Sequence, residues 1–166
     1  MIRLANKEDI KAIMEIIKET VIEMNSYGNV QWGSDYPAEK DFLNDIEKKD
    51  LFVYEDKEKV CGIVCVNFVE PEEYKNINWS LNKRALVLHR MAIAVSERKK
   101  GIGTALMNFA EQYAKEKNVD YLKTDTYSIN DKMIRLFEKC DYKKIGTMHF
   151  KGREKLFNCY EKLLTI

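Results

Sequence analysis

The residues with the plainest chemical reading are Arg98-Lys99-Lys100-Gly101-Ile102-Gly103-Thr104, set between a strand-like apolar run and a strongly amphipathic segment. The start of a helix presents four unpaired backbone N–H groups and about half a positive charge. Glycines there let an oxyanion reach the main chain because no Cβ stands in the way. Arg98, Lys99 and Lys100 add cationic side chains beside it. The pattern suits a phosphate or a diphosphate. It is not a Walker A loop, because GxxxxGK[ST] is absent. It is also not a complete dinucleotide fingerprint, which needs a third glycine where this chain carries Leu106. A glycine-containing turn with solvated lysines, capping an ordinary helix, accounts for the same residues.

Cysteine and histidine carry less. Cys61, Cys65, Cys140 and Cys159 show no CxxC spacing, and neither His89 nor His149 has a partner at metal-ligand spacing. No metal site is expected. Cys61 and Cys65 fall on one face of a strand-like run, too far apart to bond each other. They read as small buried residues of a reducing compartment, which points to the cytoplasm.

These residues must be positioned by a chain of 166 residues, 45% hydrophobic and 33% charged, with 28 basic and 27 acidic side chains. The length predicts a single domain over 1–166, and the composition excludes a disordered chain. A formal net charge of +1 argues against a nucleic-acid partner spread over the surface. With no run of about twenty apolar residues, no membrane association is expected, and the first residues turn polar too early for a secretory leader.

Periodicity supplies the elements. Residues 2–4 read as a strand, and Asn6 as the cap of a helix carrying Ile10, Ile13, Met14, Ile17, Val21 and Met24 on one face. A loop bearing Trp32 and Tyr36 leads to a second helix, with Pro37 in its first turn and an apolar stripe of Phe42, Leu43 and Ile46. Residues 51–54 and 60–68 form a hairpin around a charged turn. A polar, aromatic connection through Trp79 precedes a strand over 86–95. A helix follows with Ile102, Ala105, Leu106, Phe109, Ala110, Tyr113 and Ala114 inward. A strand at 121–126, a short helix from Asn130 with Met133, Ile134 and Phe137 inward, and a closing hairpin over 142–150 and 156–164 complete the chain.

Arg98-x-x-Gly101-x-Gly103 fits the [QR]-x-x-G-x-[GA] loop of the GCN5-related N-acetyltransferase (GNAT) superfamily, which clasps the acetyl-CoA diphosphate. The strand before it and the helix after it stand where that superfamily has them. Downstream, Asn130-Asp131-Lys132-Met133-Ile134-Arg135-Leu136-Phe137-Glu138-Lys139-Cys140-Asp141-Tyr142 resembles the family segment N-x-x-A-x-x-L-Y-x-x-x-G-F. Cys159-Tyr160-Glu161-Lys162 resembles the closing strand of small bacterial members. The resemblance covers essentially the whole chain. It implies an α/β (α+β) acyl-CoA N-acyltransferase fold, a mixed, mostly antiparallel sheet flanked by helices on both faces. In it, the strand ending near Val95 and that starting near Tyr121 run parallel and splay to admit pantetheine. Backbone groups of Met91, Ala92 and Ile93 would pair with the pantetheine amides as an added strand does. N–H groups along Arg98, Lys99, Lys100, Gly101, Ile102, Gly103 and Thr104 would hold the diphosphate. Asn130 would reach the pantetheine arm, cap its own helix, or do both.

Two positions depart from the family pattern: its tyrosine is Phe137 here and its glycine is Asp141. The first removes the usual acid for the departing thiolate. A thiol of pKa about 8.5 forgoes only about 2 kcal/mol by this, and Tyr142 and Tyr127 are the hydroxyls nearby in sequence. Deprotonating an alkyl ammonium of pKa about 10.4 at pH 7 costs about 4.6 kcal/mol, so a base is the larger need. The glutamate that serves some members falls by spacing at Val87; His89, two residues on, shares that strand face and is the candidate base. A structural histidine and a water relay are the alternatives. Asp125 and Glu161 are secondary candidates, each expected to pair with a cation such as Arg90 or Arg135.

Loop aromatics Trp32, Tyr36, Tyr74 and Trp79, with Glu70, Glu72 and Glu73 close by, would suit a cationic amine. Solvated acids on a turn and aromatics packed over a sheet edge are the alternative, and the more economical one. The implied activity is direct transfer of the acetyl group of acetyl-CoA to an amine of a small molecule or peptide, without metal. The competing reading, which Phe137 favours, is a non-catalytic CoA-binding regulatory module. A homodimer is admitted as the assembly, and the acceptor and acyl-chain length are left open.

Overall fold

Ile10, Ile13, Ile17 and Met24 recur at helical spacing and all are buried. The helix they drive is entered through a capping box. The Asn6 side chain accepts from the Glu8 amide at 3.0 Å, and the Asp9 carboxylate accepts from the Asn6 amide at 2.8 Å. In the computed structural model, which describes residues 1–165, the chain runs β1 (Ile2–Leu4), α1 (Ile10–Ser26), α2 (Glu39–Glu47), β2 (Leu51–Asp56), β3 (Lys59–Asn67) and β4 (Leu86–Ile93). It continues α3 (Ile102–Glu116), β5 (Tyr121–Tyr127), α4 (Asp131–Lys139), β6 (Lys143–Met148) and β7 (Phe157–Leu163), with 3₁₀ turns at Lys7–Asp9, Glu72–Asn76 and Val95–Glu97. The last residue of the expected 1–166 domain lies outside the described residues.

The seven strands follow the order β1-β2-β3-β4-β5-β7-β6. β1/β2, β2/β3, β5/β7 and β6/β7 are antiparallel, and β4/β5 is parallel, giving the expected mixed, mostly antiparallel α/β fold. The residues group into two compact units, Met1–Val66 with His89–Phe109, and Asn67–Leu88 with Ala110–Ile166.

In the first unit, α1 and α2 bury Ile13, Ile16, Ile17 and Phe42 against Leu51, Val53, Ile63 and Cys65 of β2 and β3. Gly62 sets how closely α3 approaches β3. A Cβ there would stand 3.1 Å from the Ile102 Cγ2 and 3.3 Å from the Leu106 Cδ1. In the second unit, β5 and β7 pair from Tyr121↔Leu163 to Tyr127↔Phe157. Tyr74, Ile77, Val87, Tyr127, Phe157 and Cys159 form its core. There β4 and β5 register Leu86 with Leu122 and Val87 with Lys123, and the next carbonyl, that of Leu88, accepts from the Thr124 hydroxyl at 3.1 Å.

Four local expectations change. Pro37 precedes the N-cap Ala38 instead of sitting in the first turn of α2. Leu43 is 36% exposed and Asp45 turns inward in its place, because an arginine waits beneath it. The strand from Leu86 stops at Ile93, where a 3₁₀ turn begins two residues later. On α4 only Phe137 is fully buried among the three residues expected inward.

Candidate functional site

The turn into α3 lies wholly in the first unit. Lys99 (φ 65°) and Gly101 (φ 81°) both adopt the left-handed region, which for Gly101 carries no steric cost. The Gly101 carbonyl accepts the first helical bond, from the Ala105 amide at 3.0 Å. Gly101 therefore occupies the capping position yet has no side chain to offer the amides of the first turn. A Cβ built on it meets nothing within 4 Å, so the space in front of the helix start is open. This is the local geometry of an anion cradle.

The three expected cations divide. Arg98 is pinned, its Nη1 paired with Glu23 and its Nε donating to the Ile93 carbonyl at 3.4 Å. Lys100 pairs with Glu97 at 2.7 Å, and Lys59 with the same carboxylate at 3.3 Å; together they hold Glu97 below the usual carboxylate range. Lys99 is exposed and makes no ion pair among the described residues. Its charge remains for a ligand.

β4 supplies main-chain groups. The Ala94 amide donates to the Cys61 carbonyl at 2.8 Å, and the Ala92 carbonyl lies 3.3 Å from where a Gly62 Cβ would stand. Ala92 and Ala94 thus face β3, and alternation turns Met91 and Ile93 the other way. Of Met91, Ala92 and Ile93, expected to act together, Ala92 is therefore turned to β3 and only Met91 and Ile93 have main-chain groups pointing away from it. Arg90, at φ 40°, kinks the strand just before them. Its guanidinium donates twice to Asp45, at 2.7 Å each, and to the Tyr36 hydroxyl at 2.8 Å. His89 is half-buried next to that kink.

Asn130 caps α4, its side chain accepting from the Met133 amide at 3.3 Å. Phe137 stacks edge-on to Tyr160 at 5.2 Å, buried at 3% exposure. Asp141 stands where the family motif has glycine, at φ 65°, a conformation aspartate tolerates better than most side chains. Of the two alternative hydroxyls, Tyr127 accepts from the Lys155 amide at 3.0 Å, while Tyr142 is buried without a partner and burial pushes it well above 10. Burial also pushes Cys65 and Cys159 up to about 12, which leaves their thiols inert at neutral pH.

The two secondary carboxylates lie in the second unit, and neither pairs with Arg90 or Arg135 as expected. Glu161 accepts from the Tyr121 hydroxyl at 2.6 Å and the Ser80 amide at 3.0 Å. Burial works against its charge, but these donors hold it below the usual range, too weak a base for neutral pH. Asp125 is half-buried and accepts from the Tyr74 hydroxyl at 2.6 Å. Burial pushes it up to about 6, the Tyr74 bond opposing this only in part. Tyr74 and Asp125 stand 51 residues apart, which is why no local spacing announces their pairing.

The loop aromatics separate as well. Trp32 and Tyr74 are core side chains, at 6% and 1% exposure. Tyr36 is engaged by Arg90, and Trp79, half-buried, donates to the Tyr74 carbonyl at 2.9 Å with its ring 5.0 Å from that of Tyr74. Trp32 and Tyr36 belong to the first unit, Tyr74 and Trp79 to the second.

Residues 12–142 match the model of the acetyltransferase (GNAT) family, a stretch that passes through residues of both units. A Xenopus tropicalis protein named "Probable N-acetyltransferase 14" is 28% identical over 97 residues, 58% of this chain and 42% of that protein. The chain thus spans less than half the length of that relative. Among solved structures, a GNAT-family acetyltransferase from Streptococcus agalactiae is 25% identical with a TM-score of 0.86, covering 100% of this chain and 96% of its own. The yncA protein of Salmonella typhimurium, solved with its cofactor acetyl-CoA, shares the fold at 17% identity and a TM-score of 0.72, over 99% and 94% of the two chains.

Proposed function

We propose that this chain, which belongs to the acetyltransferase (GNAT) family, transfers the acetyl group of acetyl-CoA to an amine of a small molecule or peptide, by direct attack and as one acetyltransferase domain. The observation that carries the reading is the turn at Gly101: a helix start with open amides, no capping side chain and an uncommitted lysine beside it. The amides from Lys99 to Thr104 take the diphosphate, with the Lys99 ammonium as its counter-charge. Met91 and Ile93 offer backbone groups to the pantetheine amides. Acetyl-CoA supplies an activated thioester carbonyl. The protein must orient the amine and take its proton; His89 on β4 is the base that strand position alone nominates. The buried, high-pKa cysteines speak for direct attack instead of an acyl-enzyme.

Calorimetry with acetyl-CoA, followed by CoA thiol release with spermidine, kanamycin and an alanyl tripeptide as acceptors, tests this. Binding heat and amine-dependent thiol release are expected. Gly101→Val, which forces a β-branched side chain into φ 81° and fills the space before the helix, should weaken acetyl-CoA binding at least tenfold. Absence of heat with the wild type overturns the reading. Phe137, buried where the family has tyrosine, favours a binding module without turnover. Heat without thiol release from any acceptor would select that module.

A further inference from the structure

We propose that Glu23, on α1, is a positioning residue for acetyl-CoA: by holding Arg98 it fixes the turn whose amides take the diphosphate. The inference rests on the acetyl-transfer reading and extends its cofactor side to a helix outside the glycine motif. Every residue it uses belongs to the first unit. Glu23 and Arg98 stand 75 residues apart, so no local spacing announces the pair.

The way the turn is held points to this role. Lys99 and Gly101 both lie in the left-handed region. Glycine adopts it freely, but a lysine there is strained, and such a backbone persists only where the contacts around it leave no alternative. Those contacts come from the residues on either side of Lys99. Lys100 pairs with Glu97, three residues earlier, through an ammonium that is 60% exposed. A pair so solvated and so local fixes little. Arg98 reaches further. Its guanidinium, 23% exposed, bonds to Glu23 and to the Ile93 carbonyl, so one side chain ties the turn both to α1 and to the end of β4. The carboxylate that receives it is itself well anchored. Glu23 is half-buried and is flanked on α1 by Thr20 and Met24, both buried in the core.

Charge separates this role from a bystander's. A carboxylate beside an anion cradle opposes the anion by Coulomb repulsion, so the charge of Glu23 on its own works against the diphosphate. Bonded to Arg98, that charge is closed within the protein, and the guanidinium serves as a strut. Lys99, which makes no ion pair among the described residues, is left to meet the ligand. Donors already in place bind without the cost of being ordered. Removing Glu23 therefore has one sign if it positions the turn and the opposite sign if only its charge matters.

Calorimetry with acetyl-CoA on the full chain tests the assignment. Glu23→Met removes the carboxylate and every acceptor, whereas Glu23→Gln removes the charge and keeps one oxygen that a guanidinium can use. The Kd should rise about fivefold in Glu23→Met and by less in Glu23→Gln. In the spermidine assay the KM for acetyl-CoA should rise with it, while kcat and the KM for spermidine keep their wild-type values. Arg98→Met should reproduce the rise, and adding Glu23→Met to it should raise Kd no further, because the two side chains act as one. Glu19→Gln, which removes an exposed carboxylate one turn earlier on α1, should leave Kd unchanged. Urea denaturation should show every variant folded, since the Glu23–Arg98 pair lies at the surface, about one-quarter exposed. The proposal is overturned, with acetyl transfer intact, if Glu23→Met binds acetyl-CoA as tightly as the wild type or more tightly. It is equally overturned if the losses in Glu23→Met and Arg98→Met add, or if Glu19→Gln loses as much as Glu23→Met. A wild type giving no acetyl-CoA heat overturns the underlying reading and this assignment with it.

Discussion

Asp45 in the first unit and Asp125 in the second are both carboxylates drawn inward, and they are satisfied in different ways. Asp45 is 3% exposed and meets a guanidinium through two 2.7 Å bonds, closing its charge within the protein. Asp125 meets a phenol, which donates a hydrogen bond without supplying charge. A closed pair of ions fixes structure: Arg90 joins β4 to α2 and, through Tyr36, to the loop before it. An ionised group without a counter-charge shifts its pKa instead. Burial alone does not tell whether a carboxylate's charge is closed within the protein or left without a counter-charge. The nature of its partner does.

That contrast is most severely tested at Arg90. Arg90→Ala leaves Asp45 buried and unpaired, and urea denaturation should show a loss of about 3–5 kcal/mol. Replacing both members, Arg90→Met with Asp45→Leu, should recover most of it, because no lone charge then remains buried. If the single variant costs no more than a surface pair, below about 1 kcal/mol, the first half of the comparison fails.

The next effect in size is the pH dependence of stability. The folded Asp125 pKa is raised from the ordinary 3.8 to about 6, so the folded state holds this proton more tightly than the unfolded one. Its stabilisation is fully present below pH 3.8 and is lost as pH rises through 6, by roughly 3 kcal/mol. Asp125→Asn should flatten the stability curve over this window. Asp9 acts with the opposite sign: the Arg3 hydrogen bonds hold it low, so its contribution is lost as pH falls. The acid-side loss should therefore persist in Asp125→Asn. Equal slopes in wild type and variant between pH 4 and 7 would remove the distinction between the two carboxylates.

The smallest effect concerns Tyr142, a buried hydroxyl with neither charge nor partner. Tyr142→Phe removes an unsatisfied donor and should be neutral or stabilising by up to about 1 kcal/mol in thermal denaturation. A loss above that would mean the hydroxyl has a bonding role like that of Tyr74.

Much of this was legible in residue order, and the reason is locality. Helix and strand periods, the Asn6 and Asn130 caps and the glycine turn before α3 each depend on contacts within a few residues. Their physics is written in adjacent letters. The misjudged positions share the opposite property. Helical spacing turns Leu43 inward, but Asp45 takes that place because Arg90, 45 residues away, offers it two bonds. For Trp32 and Tyr74 residue order leaves a substrate role and packing both open, and each fills a core whose other walls come from distant strands. Residue order suggests a cation for Asp125, and its partner is a phenol, Tyr74.

What residue order settled was the family's architecture and the glycine-opened helix start at Gly101, since backbone conformation and hydrogen bonding there are short-range. What folding alone decided was which charges are closed off and which are left open. Electrostatic partnership depends on distance and burial in space, and those are set only when remote segments pack together.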